Sequence, residues 1–135
     1  EFALVLPLLM AIVLGCVDFG RFAYFYIAVT NAARVGAGFA SSNMFTTGTL
    51  PTWERGVREA VAREMYSEFD PASYPPELTV AAPVVTTDAN GEKRVRVTVS
   101  YQFETVVDWG ELPFGWPTVP HEVTLTRAVE MRFLY

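Results

Sequence analysis

Residues 2–17 carry no charged side chain: Phe2, Ala3 and Leu4 lead through Pro7-Leu8-Leu9 to Gly15, Cys16 and Val17. Asp18-Phe19-Gly20-Arg21 interrupts this run, and residues 22–29 are apolar again. Water cannot solvate such a surface. As a helix, residues 2–17 rise roughly 24 Å and residues 2–29 roughly 42 Å at the ordinary rise per residue. The hydrocarbon core of a bilayer is about 30 Å thick, so the segment is long enough to span it. Such a helix must lie in lipid or against other helices, including copies of itself.

Once that segment is set aside, the remaining part of the 135 residues amounts to one modest domain. The chain has a net charge of −5 and no run of Lys or Arg, which argues against nucleic acid as a partner. Cys16, the single cysteine, has no second thiol to pair with and reads as a small packing residue of the apolar helix. A secretory signal peptide needs a basic flank before its apolar core. Here the flank is Glu1 and the core runs on into further helix, so the expectation is an anchor kept by the mature protein.

Helix formers continue to about Ala40, with Pro7 expected to bend the first turns. Ala28, Ala32, Gly36 and Ala40 recur every four residues, a ridge of small side chains that lets another helix approach closely. The partner can be a second copy or the chain's own domain, and spacing leaves both open. Asp18 and Arg21, three residues apart, can pair on one helix face, as charges near hydrocarbon must. Asp18 could also mark the exit from the membrane. Glu1, at the other end, sits where a helix dipole favours a carboxylate.

The fold class expected is α+β: a long N-terminal apolar helix over residues 1–43, then a domain over residues 44–135 with one amphipathic helix and an antiparallel sheet of about three strands. Trp53, Val57, Ala60, Val61, Met65 and Phe69 fall on one helical face of residues 53–69, with Thr52 as N-cap and Glu54 in the first turn. Glu54/Arg58 and Glu59/Arg63 are i,i+4 pairs on the wet side. Leu78, Val80, Ala82 and Val84 alternate as a first strand, in which Pro83 signals an edge or a bulge. Asn90-Gly91 suits a hairpin turn. Val95, Val97, Val99, Tyr101 and Phe103 form the dry side of a second strand, and Val123, Leu125, Val129, Met131 and Phe133 that of a third. The loop between them carries Trp109, Phe114 and Trp116, which either fold back on the domain or meet a partner.

Chemistry is thin. His121 is the only histidine, with no nucleophile–base pair and no phosphate-binding loop in the sequence. Asp88, Asn90 and Glu92 alternate like the start of a calcium loop, but the later bidentate Glu is missing and a turn explains them. The expectation is a protein that is not an enzyme, with no cofactor, no metal site and no catalytic residues.

Glu1-Phe2-Ala3-Leu4, Pro7-Leu8-Leu9, Gly15, Asp18-Phe19-Gly20-Arg21, Tyr24 and Asn31-Ala32-Ala33-Arg34-Val35-Gly36-Ala37 together resemble the TadE-like segment of tight-adherence (Tad, type IVc) pilus systems. The likeness covers about the first third of the chain. It implies a pilin or pseudopilin whose short leader is trimmed by a prepilin peptidase at a site a little before Glu1. It also implies a precursor in the bacterial cytoplasmic membrane, contacts with lipid and then with the Tad assembly machinery, and a final place in a surface pilus. Glu1 is similar to the pilin glutamate that neutralises the terminal amine of a neighbouring subunit. On that reading Glu1, Phe2, Pro7, Asp18, Arg21, Ala28, Ala32, Gly36 and Ala40 pack identical subunits into a filament, and Trp109, Phe114 and Trp116 are surface contacts. The rival implied by the same resemblance is a membrane-anchored minor pseudopilin that primes assembly.

Overall fold

The computed structural model describes residues 2–107 and 120–134. Two helices, α1 (Phe2–Ser42) and α2 (Leu50–Met65), precede four strands: β1 (Leu78–Val80), β2 (Val84–Thr87), β3 (Lys93–Glu104) and β4 (Glu122–Arg132). The sheet is antiparallel and centred on β3. One side of β3 pairs along its length with β4, from Arg94 opposite Arg132 to Glu104 opposite Glu122. β1 and β2 share the other side. The α+β architecture expected from the sequence is present, with one more strand.

That extra strand comes from a break in the first one. Val80 stands opposite Val99, and the Ala81 N–H bonds to the Thr98 carbonyl, yet Val84 stands opposite Arg96. Residues 81–83 therefore face only Val97 and Thr98. One surplus residue in an antiparallel pair is the arithmetic of a β-bulge, placed here at Pro83, which has no N–H for the ladder. A bulge also inverts the alternation. Leu78 is buried, whereas Val84, expected on the same dry face, shares the wet face with Arg96 and is 54% exposed.

The dry face of the sheet is covered by the second half of α1. Val29, Ala32, Ala33, Ala37 and Ala40 form one buried core with Val95, Val97, Val99, Phe103 and Leu125. α2 packs beside α1 and borders the same core, contributing Trp53, Val57, Val61 and Ala62 to it. Residues before and after position 43 thus share a single core. Gly36 lies at the crossing: a Cβ there would come within 2.5 Å of Val61 Cγ2 and 3.3 Å of Val97 Cγ1. At Gly56 a Cβ would meet the Phe39 ring at 2.7 Å, so close approach of α1 and α2 is required from both sides.

α2 begins three residues earlier than the periodicity suggests. Pro51 sits in its first turn and Thr49 is its N-cap, with no side-chain cap bond. Proline is preorganised for a first helical turn, so it opens this helix instead of preceding it. Thr52 consequently lies inside α2, Glu54 falls beyond the first turn, and Phe69 lies outside the helix, which stops at Met65. The two i,i+4 pairs form as expected, Glu54–Arg58 at 3.7 Å and Glu59–Arg63 at 3.6 Å. In the β2–β3 turn, Asp88 Oδ1 accepts the N–H groups of Asn90 and Glu92, both at 2.9 Å, and Gly91 takes a φ of 82°. That Asp88 carboxylate, held below its ordinary pKa first by the Glu92 amide, is a turn cap.

Tyr66, at the end of α2, is pushed from an ordinary pKa of 10.0 to about 12, first by burial and then by the nearby Tyr101, Glu77 and Tyr74. The folded state disfavours its phenolate, so the folded pKa lies above the unfolded one. The stabilisation is complete below about pH 10 and is lost as pH rises through about 12. The thermal midpoint should therefore fall over that alkaline window, and Tyr66→Phe should flatten the fall.

Candidate functional site

α1 is two surfaces joined end to end. Over residues 5–17 it touches little of the chain, and Leu6, Leu8, Leu9, Met10, Ile12 and Val13 are each more than half exposed. These side chains point all round the helix, the pattern of a helix surrounded by lipid or by other helices. The helix is long and apolar enough to cross a membrane. From residue 18 onward one face turns to the sheet, and the large apolar side chains left exposed are Phe19, Tyr24, Tyr26, Ile27 and Val35. At about 100° per residue these side chains spread over the outward half of the helix, away from the sheet.

Asp18 marks the change. It is 5% exposed, and its carboxylate accepts the N–H of Val106 at 2.8 Å and that of Val107 at 3.3 Å. Arg21 lies 3.6 Å from the same carboxylate, with its guanidinium 5.4 Å from the Phe103 ring centre. The pair expected from the spacing exists, and it does more than neutralise charge. It pins the end of β3 to the helix, so that Asp18 belongs to the join between helix and sheet. Around it the rings of Phe22, Phe25, Tyr101 and Phe103 interlock, with Phe25 stacked on Tyr101 at 4.6 Å and Phe22 edge-on to Phe103 at 5.7 Å. Further up, Arg127 projects from the inner face of β4 and its guanidinium lies 4.1 Å over the Tyr26 ring.

The small-residue ridge is spent inside the subunit. Ala32 and Ala40 are fully buried, Gly36 is buried beneath Val61 and Val97, and Ala28 is partly buried. Of the two partners that spacing leaves open, the structure places the chain's own sheet and α2 against these residues. In the stretch from Asn31 to Ala37, the small residues face inward while Asn31, Arg34 and Val35 face out. Pro7 lies exposed in the bare half and Phe2 opens the helix. Glu1 and the aromatic loop residues Trp109, Phe114 and Trp116 lie outside the described residues.

Sequence reasoning missed the Asp18 pin, the ring cluster and the Arg127–Tyr26 contact. The first joins residues 88 positions apart, which no local spacing encodes. The second had a signal: Phe22, Phe25, Val29, Ala32 or Ala33, Gly36 and Ala40 recur at three and four residues, the stripe of a helix lying on its own sheet. Among the described residues no group of three or more His, Cys, Asp or Glu could hold a metal ion.

No curated protein and no solved structure matches the chain. Residues 1–38, a span that takes in the bare half of α1, the Asp18 pin and most of the docked half, match the family model described as TadE-like protein. That is a family of pilus components, not a known family of enzymes. Over residues 1–38 the chain is therefore similar to the TadE-like family.

Proposed function

We propose that the chain is a pilin-type structural subunit of a Tad pilus, held in the cytoplasmic membrane by α1 before assembly and afterwards packed through α1 with identical subunits into a helical filament for surface attachment. The observation that carries this reading is the outward face of α1 with Phe19, Tyr24 and Ile27 exposed, which continues the apolar surface past the Asp18 pin and alongside the folded domain. An anchor alone needs only the bare half. An apolar face beside the domain needs other protein to cover it.

Assembly transfers the helix from lipid to a bundle of like helices. Lipid tails are as apolar as leucine, so this transfer gains little hydrophobic energy, and packing and ion pairing must supply the preference. With the small residues buried inside the subunit, contact between copies falls to bulky side chains. Axes about 8–10 Å apart are the expectation for such a contact. Glu1 is the residue to satisfy the terminal amine of a neighbour, and a prepilin peptidase and the Tad machinery are the partners that deliver the subunit.

Electron microscopy of the purified chain tests the proposal, with helical polymers as the expected result. Glu1→Ala should stay in the membrane fraction and form no filaments, and normal pili from that variant would overturn the assignment. The TadE-like match of residues 1–38 also supports a second reading, a minor pseudopilin that primes assembly. Surface material sheared from cells separates the two: a dominant band at 15.0 kDa belongs to the major subunit.

A further inference from the structure

α2 and β1 leave a groove between them of about 670 Å³ on a part of the domain that the helix contacts do not use. Small-ligand sites occupy about 300–1,000 Å³, so the space is of the right order. One wall carries Arg55, Arg58 and Glu59 from successive turns of α2, and the other carries Phe69 and Tyr74, with Thr79 of β1 beside them; the Glu59 carboxylate lies 3.6 Å from Arg63. Arg58 is only loosely held by Glu54, at 3.7 Å, and Arg55 has no carboxylate partner among the described residues. Phe69 and Tyr74 meet edge to face at 5.8 Å, and Tyr74 remains 37% exposed. Burial holds the Tyr74 phenol above its ordinary pKa while the Arg58 charge works against that rise, so guanidinium and ring lie within electrostatic reach of each other.

On a chain of net charge −5, the groove gathers two guanidinium groups beside an aromatic wall, and the one carboxylate of its lining, Glu59, is offset by Arg63. We propose that this groove binds an anionic saccharide, a uronic acid unit whose carboxylate takes the Arg55 and Arg58 guanidinium groups and whose pyranose ring lies on the exposed Tyr74 ring, which Phe69 supports from the side. A guanidinium fork matches a carboxylate in plane and spacing. Aromatic faces are electron-rich and attract the polarised C–H groups of a sugar ring. Thr79 adds a hydroxyl for the sugar's own.

An acidic peptide is the rival with the same charge, and it would bind best by adding a strand to the sheet edge. That edge is poor. β1 offers three residues and is closed on one side by the bulge at Pro83, which is how natural sheets blunt an edge. In a filament, which rests on the reading above, every subunit would present one groove along the surface. Weak single contacts then add into firm attachment to a polyuronate.

Trigalacturonate titrated by NMR into the full chain in detergent micelles tests the proposal on unassembled protein, with maltotriose and triglutamate as comparison probes. Saturable trigalacturonate binding is expected, with shifts at Tyr74 and Thr79 and weakening by added salt. Binding should fall by at least about tenfold for maltotriose, for triglutamate and for the Arg55→Gln/Arg58→Gln variant, a loss well above the error of the measurement. Phe69→Ala should weaken it too, while Arg96→Gln, paired with Glu130 on the wet face of β3 and outside the groove, should leave it unchanged. Equal binding of the neutral sugar, tighter binding of triglutamate at the same residues, or no saturation with trigalacturonate overturns the proposal. Filament formation does not enter this readout, so a failure here leaves the subunit reading intact, and an absence of filaments leaves the groove intact.

Discussion

Gly36→Leu should unfold the junction of α1, α2 and the sheet, lowering stability by about 3 kcal/mol or more. Even the first carbon of the new side chain lands 2.5 Å from Val61 Cγ2, and Val97 and Val57 close the remaining directions. Valine side chains have little freedom to step aside, so the helices must part. The control is Gly38→Ala, where a Cβ meets nothing within 4 Å. There the exchange should stabilise by up to about 1 kcal/mol through helix propensity alone. Thermal unfolding of the full chain in micelles, followed by circular dichroism, measures both. A Gly36→Leu protein as stable as the parent would mean that α2 does not pack as described.

Asp18→Ala is expected to cost about 2–3 kcal/mol, because two backbone N–H groups lose a charged acceptor at a buried site. Val106 and Val107 should then exchange their amide hydrogens faster, while amides in the middle of β3 stay protected. Asp18→Asn keeps one acceptor oxygen and should lose about half as much. Hydrogen exchange read by NMR or mass spectrometry distinguishes this local release from global unfolding. If the amides of residues 106 and 107 keep their protection in Asp18→Ala, the carboxylate is not what holds the end of β3.

Much of this fold could be read along the chain. The alternation of Val95, Val97, Val99, Tyr101 and Phe103 gave the central strand because one dry and one wet face impose a period of two. Asn90-Gly91 marked the hairpin because its conformation calls for positive φ, which Gly91 supplies. Pro83 announced trouble in the first strand. What it could not announce was that the surplus residue would turn Val84 outward, since the phase of a strand after a bulge depends on its partner's register. The functional helix was legible in half. Its apolar content and the pairing of Asp18 with Arg21 are local properties. Which face the ridge of Ala32, Gly36 and Ala40 presents, and to whom, is decided by Val61 and Val97, residues far away in sequence that happen to fit the same space.

α1 runs from Phe2 to Ser42 as one helix, so beyond Pro7 the bare half and the domain half are a single continuous element. Successive residues of an α-helix turn by about 100° and advance 1.5 Å. One residue added between Val17 and Asp18 would swing the whole sheet about 100° around the helix axis, while moving it scarcely at all along that axis. A spin of the bare half is passed along the helix to the sheet, as a key turns with its bow. In a polymer of such rods, the azimuth of every outer domain is therefore set by how the inner ends pack, and the pattern seen on the outside is a direct print of the packing within.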